Sequence, residues 1–184
     1  MHQENIIRAL KGGDRRSIGR SNQVVALVRQ TPTLFPALID CMYHEDELVR
    51  MRAADAAEKL TLTNPEWLRP FKGQLLKLAT ETMQQELRWH LAQLLPRLEL
   101  SKKDRARVVA IFRRYLEDHS QIVKTFTMQG LADLTRQDPS LMNLVRPLLA
   151  SLTKTGSASM KSRGRRLLAK LRVERVSSSP EAST

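Results

Sequence analysis

The chain is expected to be all-α, a superhelix of stacked helix pairs, and three observations carry that expectation. Four stretches lie on top of one another: V-R-M-R-A-A-D-A-A-E-K-L from Val49, L-R-W-H-L-A-Q-L-L-P-R-L from Leu87, V-K-T-F-T-M-Q-G-L-A-D-L from Val123 and M-K-S-R-G-R-R-L-L-A-K-L from Met160. They start 38, 36 and 37 residues apart. A period of that size belongs to arrays in which each unit buries its apolar face only against its neighbours. The composition, 41% hydrophobic but only 4% aromatic, supplies Leu, Val and Ala for helix-on-helix contacts rather than the aromatic and β-branched runs of sheets. The third observation is punctuation. Thr31-Pro32, Asn64-Pro65 and Asp138-Pro139 each place a capping residue before a proline at a helix start, and Ser101 with Asp104 caps the third pair.

In chain order, residues 1–30 hold a short leading helix and, from about 14, a degenerate half-repeat, joined by Lys11-Gly12-Gly13-Asp14-Arg15-Arg16-Ser17-Ile18-Gly19-Arg20-Ser21. The glycine pair reads first as a helix terminator and hinge. An anion approaching the backbone N–H groups there is the alternative. From 31 to 172 each aligned stretch is preceded by a partner helix: Leu34 to Ile39, Leu68 to Leu76, Val108 to Leu116 and Leu144 to Leu149. Pro36, Pro70 and Pro147 fall at or just past the first turn of these partners, where a missing N–H costs least. Residues 173–184, ending in a Ser-rich stretch, read as a disordered tail.

The pattern resembles the HEAT repeat family. The residues that carry the resemblance are Val49-Arg50 with Ala53, Ala54 and Ala57, Leu87-Arg88 with Leu91-Ala92, the weaker Val123-Lys124 copy and the early prolines. It covers 31–172 and departs in the last copy, where Gly164 and Arg165 replace the small apolar pair. The resemblance implies a right-handed α-solenoid of about four to four and a half helix pairs. It also implies a curved scaffold that binds proteins or nucleic acids along the inner face of the second helices, although a few related helical arrays are DNA glycosylases; a monomer is expected. A family of this kind specifies a fold far better than a function.

Three groups of residues are candidates for that binding. The column Arg50, Arg88, Lys124 and Lys161 is expected to be a structural ladder between repeats, pairing with acids such as Asp46 or Asp118, with phosphate binding as the minor reading. With Val49, Ala53, Ala56, Ala57 and Leu60 facing the core, helical geometry turns Met51, Arg52, Asp55 and Lys59 outward. The same positions in later copies are Trp89, His90, Gln93 and Arg97, then Thr125, Phe126, Gln129 and Asp133, then Ser162, Arg163, Arg166 and Lys170. Trp and Arg dominate binding hot spots, although Trp89 filling the seam between repeats is an equal reading. The third group is the basic ends.

The net charge of +12 is uneven: +4 over residues 1–30, −3 over 31–60 and +7 over 154–175. A terminal cap needs a polar outer face, but seven cations between Lys161 and Arg175 against one acid, Glu174, exceed that need. An acidic protein or a nucleic acid would use the remainder. Cys41 is the only cysteine, so neither an internal disulfide nor a cysteine zinc site can form. No stretch approaches the ~20 apolar residues of a membrane span, and a cytoplasmic setting is expected. His2, His44, His90 and His119 are scattered, and no nucleophile sits beside a base. The expectation is therefore a protein without cofactor or metal that is no enzyme. It binds another macromolecule, a protein first and a nucleic acid as the alternative.

Overall fold

The computed structural model describes residues 2–14 and 17–177, and among these every regular element is helical. The chain divides into two compact units, Met1–Glu99 and Leu100–Thr184. In the first, α1 (His2–Leu10) and α2 (Ser21–Gln30) precede two helix pairs, α3 (Phe35–Asp40) with α4 (Glu47–Leu60) and α5 (Lys72–Glu81) with α6 (Gln85–Leu94). The second contains α7 (Lys102–Tyr115) with α8 (Gln121–Gln137) and α9 (Met142–Thr155) with α10 (Ala158–Ser177). Because α10 runs to Ser177, part of the expected tail is helical; Arg15, Arg16 and Ser178–Thr184 lie outside the described residues.

Alanine decides how the first unit packs. Val49, Ala53, Ala54, Ala56, Ala57 and Leu60 are all fully buried, and these small side chains let α2, α3 and α6 close on α4. In the second unit, α8 packs on α7, α9 and α10 through Val123, Met128, Leu131 and Leu134. Met160, Leu167 and Leu171 supply the apolar stripe of α10.

The helix starts follow the expected chemistry in part. Ser101 and Asp104 form a reciprocal capping box on α7, and the Asp138 carboxylate accepts from Ser140 N at 3.1 Å. Thr31 and Asn64 make no side-chain cap bond. The prolines after them open 3-10 turns, Pro32–Leu34 and Pro65–Phe71, and Asn64 Oδ1 accepts from the Thr63 hydroxyl instead. Pro70 lies inside that second turn, while Pro147 sits within α9, past its first turn.

Candidate functional site

In the first unit the structure corrects the expected outward column. Arg52 is 1% exposed. Its guanidinium donates to the carbonyls of Leu10 at 2.7 Å, Gly12 at 2.5 Å, Asp14 at 3.1 Å and Ser17 at 3.2 Å. The helical wheel is sound, but α1 and the segment after it fold over that edge of α4, so Arg52 becomes the donor that fastens the segment. Met51 is also buried, at 7%. The signal for this lay in the Gly12-Gly13 and Gly19 pattern. All three adopt positive φ, and a Cβ on Gly19 would stand 2.8 Å from Arg52 Cζ.

The remaining polar groups of this face are largely joined to one another. Ser21 Oγ donates to the Asp55 carboxylate, Lys59 bridges Asp55 at 2.7 Å and Asn22 at 2.9 Å, and Arg97 pairs with the Glu58 carboxylate. Arg97 also donates to the Glu58 carbonyl at 2.6 Å and the Thr61 hydroxyl at 2.9 Å. Those bonds satisfy acceptors at the C-terminal end of α4. Trp89 is partly exposed and tilts against His90, with ring centroids 5.4 Å apart. Gln93, also partly exposed, donates to the Trp89 carbonyl at 3.3 Å.

His90 is buried at 8% exposure, contrary to its expected place on the surface, and its Nδ1 has no hydrogen-bond partner. Burial pushes the imidazole down to about 4; Asp55 pulls the other way, and Lys59 and Arg97 push it further down. An imidazole in the unfolded chain takes its proton near ~6.5. Between those values the unfolded chain binds more protons than the folded one. Stability present above pH ~6.5 is therefore lost as pH falls toward 4. The expected result is that the difference in unfolding free energy between the wild type and His90→Gln, measured in urea, shrinks by about 2 kcal/mol from pH 7 to pH 4.5. A difference independent of pH would refute this placement.

The basic column holds loops as well as repeats. Arg50 donates to the carbonyls of His44 at 2.8 Å and Glu45 at 2.9 Å, and reaches Gln84 Oε1 in the next helix pair at 2.7 Å. Gln84 returns a bond to the Glu47 carbonyl at 2.9 Å. Arg88 repeats the loop contact on the Thr82 carbonyl at 3.0 Å. Two acids named as ladder partners bond at helix starts. Asp46 caps α4 through Leu48 N at 2.8 Å, and Asp118 accepts from Ser120 N at 2.8 Å. Lys124 is partly exposed and Lys161 exposed.

In the second unit the expected residues do come together. Arg163 stands over the Phe126 ring at 5.5 Å and donates to Gln129 Oε1 at 2.9 Å. Gln129 Nε2 in turn donates to the Asp133 carboxylate oxygens at 3.0 and 3.1 Å. Arg166 and Lys170 are exposed farther along α10. Thr125 departs from expectation: it is buried, donating to the Gln121 carbonyl at 2.7 Å. This unit's sequence carries seventeen basic and seven acidic residues, a net of +10, against fourteen and twelve, a net of +2, in the first.

Cys41 is buried, and burial together with Asp40 pushes its thiol up to about 11, which removes the thiolate that nucleophilic chemistry needs. No helix among the described residues is long and apolar enough to cross a membrane. Residues 13–171 match a family model described as a HEAT repeat domain. No curated protein and no solved structure matches the chain.

Proposed function

The chain belongs to the HEAT repeat family, and from that premise we propose that it is a non-catalytic scaffold that binds another protein through the second helices of its pairs. The observation that carries the reading is the patch on α8 and α10. Arg163 is held between Phe126 and Gln129, so an aromatic and a guanidinium are fixed in place beside the exposed Arg166 and Lys170. Aromatic and Arg anchors set before binding lose little entropy in the complex. The charge favours a partner surface rich in Asp and Glu. The first unit, taken by itself, offers Trp89 and Gln93 on a second helix, with the buried His90 ring against Trp89.

The test is a pull-down from the native source with the wild type and with Phe126→Ala/Arg166→Glu/Lys170→Glu. A protein retained by the wild type and lost by the variant is expected. Equal retention by both, or turnover of a nucleotide or modification of a base by the purified chain, would sink the proposal.

The net of +10 in the second unit favours nucleic acid as a second reading. Each phosphate neutralised would contribute about −0.9 to the logarithmic salt slope on duplex DNA. The charge-reversing pair Arg166→Glu/Lys170→Glu should then elute from a heparin column at distinctly lower salt than the wild type. Identical elution counts against this reading.

A further inference from the structure

The aligned repeats make the same groove twice, once in each unit, and the two copies differ in chemistry. In the first unit, the Cys41–Tyr43 turn, the start of α4 and the α5–α6 connection enclose about 440 Å³, lined by Tyr43, Glu47, Glu81 and Met83 above the apolar Met42 and Leu87. In the second, a groove of about 450 Å³ lies between Leu116 and the start of α8 on one side and the α9–α10 connection on the other. A shift of 74 residues, the sum of the first two repeat offsets of 38 and 36, carries Met42 onto Leu116, Arg50 onto Lys124 and Leu78 onto Leu152. The groove itself is therefore a product of helix-pair stacking. The same shift carries Glu47 onto Gln121, Glu81 onto Thr155 and Met83 onto Ser157. Carboxylates and a large apolar group distinguish the first copy.

Tyr43 at 45% and Met83 at 80% are two of the few large apolar side chains left in solvent, and both border this one groove. The Tyr43 hydroxyl donates to the Gln74 carbonyl at 2.7 Å, which fixes the ring. Burial pushes the phenol up, and the nearby Glu81 and Asp40 carboxylates add to it. The cations nearby are engaged: Arg50 with Gln84 and two carbonyls, with Glu47 at 3.7 Å, and Arg88 with the Thr82 carbonyl and Met83 Sδ at 3.0 Å. A rim whose two carboxylates, Glu47 and Glu81, outnumber its one cation, Arg50, with an aromatic face and an adaptable Met lip, suits a cation on an aliphatic stem beside a second apolar side chain.

We propose that this groove docks an extended segment of a partner protein in which an apolar residue adjoins a lysine or arginine. The apolar side chain would lie on Met42 and Leu87 under Met83. The cation would stand at the Tyr43 ring between Glu47 and Glu81. The volume falls within the ~300–1,000 Å³ of pockets that hold small-molecule ligands, enough for two adjacent side chains. The site is separate from the α8–α10 patch, so either proposal can fail alone.

The test uses fluorescence polarisation with the full chain and a short labelled peptide alternating leucine and arginine, beside a counterpart with glutamate for arginine. The arginine peptide should bind at least tenfold more tightly than the glutamate peptide. Glu81→Thr/Met83→Ser, which places the residues of the second-unit copy at these two positions, should lose at least tenfold of that affinity. Both positions are exposed, so the thermal melt should be unchanged and the loss assignable to the groove. The proposal is overturned by no binding at millimolar peptide, by equal affinity for the two peptides, or by equal binding to wild type and variant. It is also overturned if sedimentation shows self-association that the same double variant abolishes, which would assign the groove to a second copy of the chain.

Discussion

Arg52→Met is expected to lower the stability of the first unit by about 3 kcal/mol and to release α1 from it. The substitution keeps the aliphatic stem but removes the guanidinium donors from four carbonyls, those of Leu10, Gly12, Asp14 and Ser17, of which Asp14 retains the Ser17 N–H at 3.0 Å. Each acceptor left dry would cost ~1–3 kcal/mol. The segment can instead swing into water, so the total is capped by the free energy of that local opening. The opening should be visible as a lower urea midpoint and as faster hydrogen exchange at the Ile6 and Leu10 amides, whose side chains are fully buried in the folded unit. Arg52→Lys should fall between the two, because an ammonium cannot present a planar fork to four acceptors. Gly19→Ala attacks the same joint from the other side. Its Cβ meets Arg52 Cζ at 2.8 Å, and φ is +54°. An unchanged midpoint in Arg52→Met would show that the buried guanidinium does not hold the segment.

That joint also marks the limit of what could be read from the residues alone. Periodicity placed Val49, Ala53, Ala57 and Leu60 in the core, and they are there. The same wheel turned Arg52 outward, because a wheel knows only its own helix and not that α1 and the backbone at Gly12, Asp14 and Ser17 cover one edge of it. His90 misled for a related reason: an imidazole on a polar stripe is indistinguishable from a surface group until its neighbours Asp55, Lys59 and Arg97 are known to close around it. The second-unit patch was more legible. Phe126, Gln129 and Arg163 were expected on one face from spacing, and the contacts among them agree. The groove at Tyr43 and Met83 was not legible at all. Its frame recurs 74 residues on, but Tyr43 and Met83, which set its chemistry, lie in a turn and a connection whose residues do not repeat.

Gly164 is where the last repeat departs from the family pattern, and the reason is contact with α9. A Cβ at this position would lie 1.9 Å from Thr153 Oγ1 and 3.0 Å from both Thr153 Cβ and Met128 Cε. The Thr153 hydroxyl donates to the Leu149 carbonyl at 2.6 Å, and a β-branched side chain on a helix has few rotamers to retreat into. Gly164→Ala would gain ~1 kcal/mol of helix propensity, yet the clash opposes it with the ~1–3 kcal/mol typical of overpacking, or more if α9 must shift. A net loss of stability in the second unit is expected, contrary to what propensity alone forecasts. Thr153→Ala should restore part of it in the double variant: the Oγ1 collision disappears, but the 3.0 Å approach of the two Cβ atoms remains. Urea unfolding of the four proteins in this cycle should give a favourable coupling of ~0.5–3 kcal/mol. Additive effects, or a Gly164→Ala variant more stable than the wild type, would mean that α9 and α10 are not packed as closely at Gly164 as described.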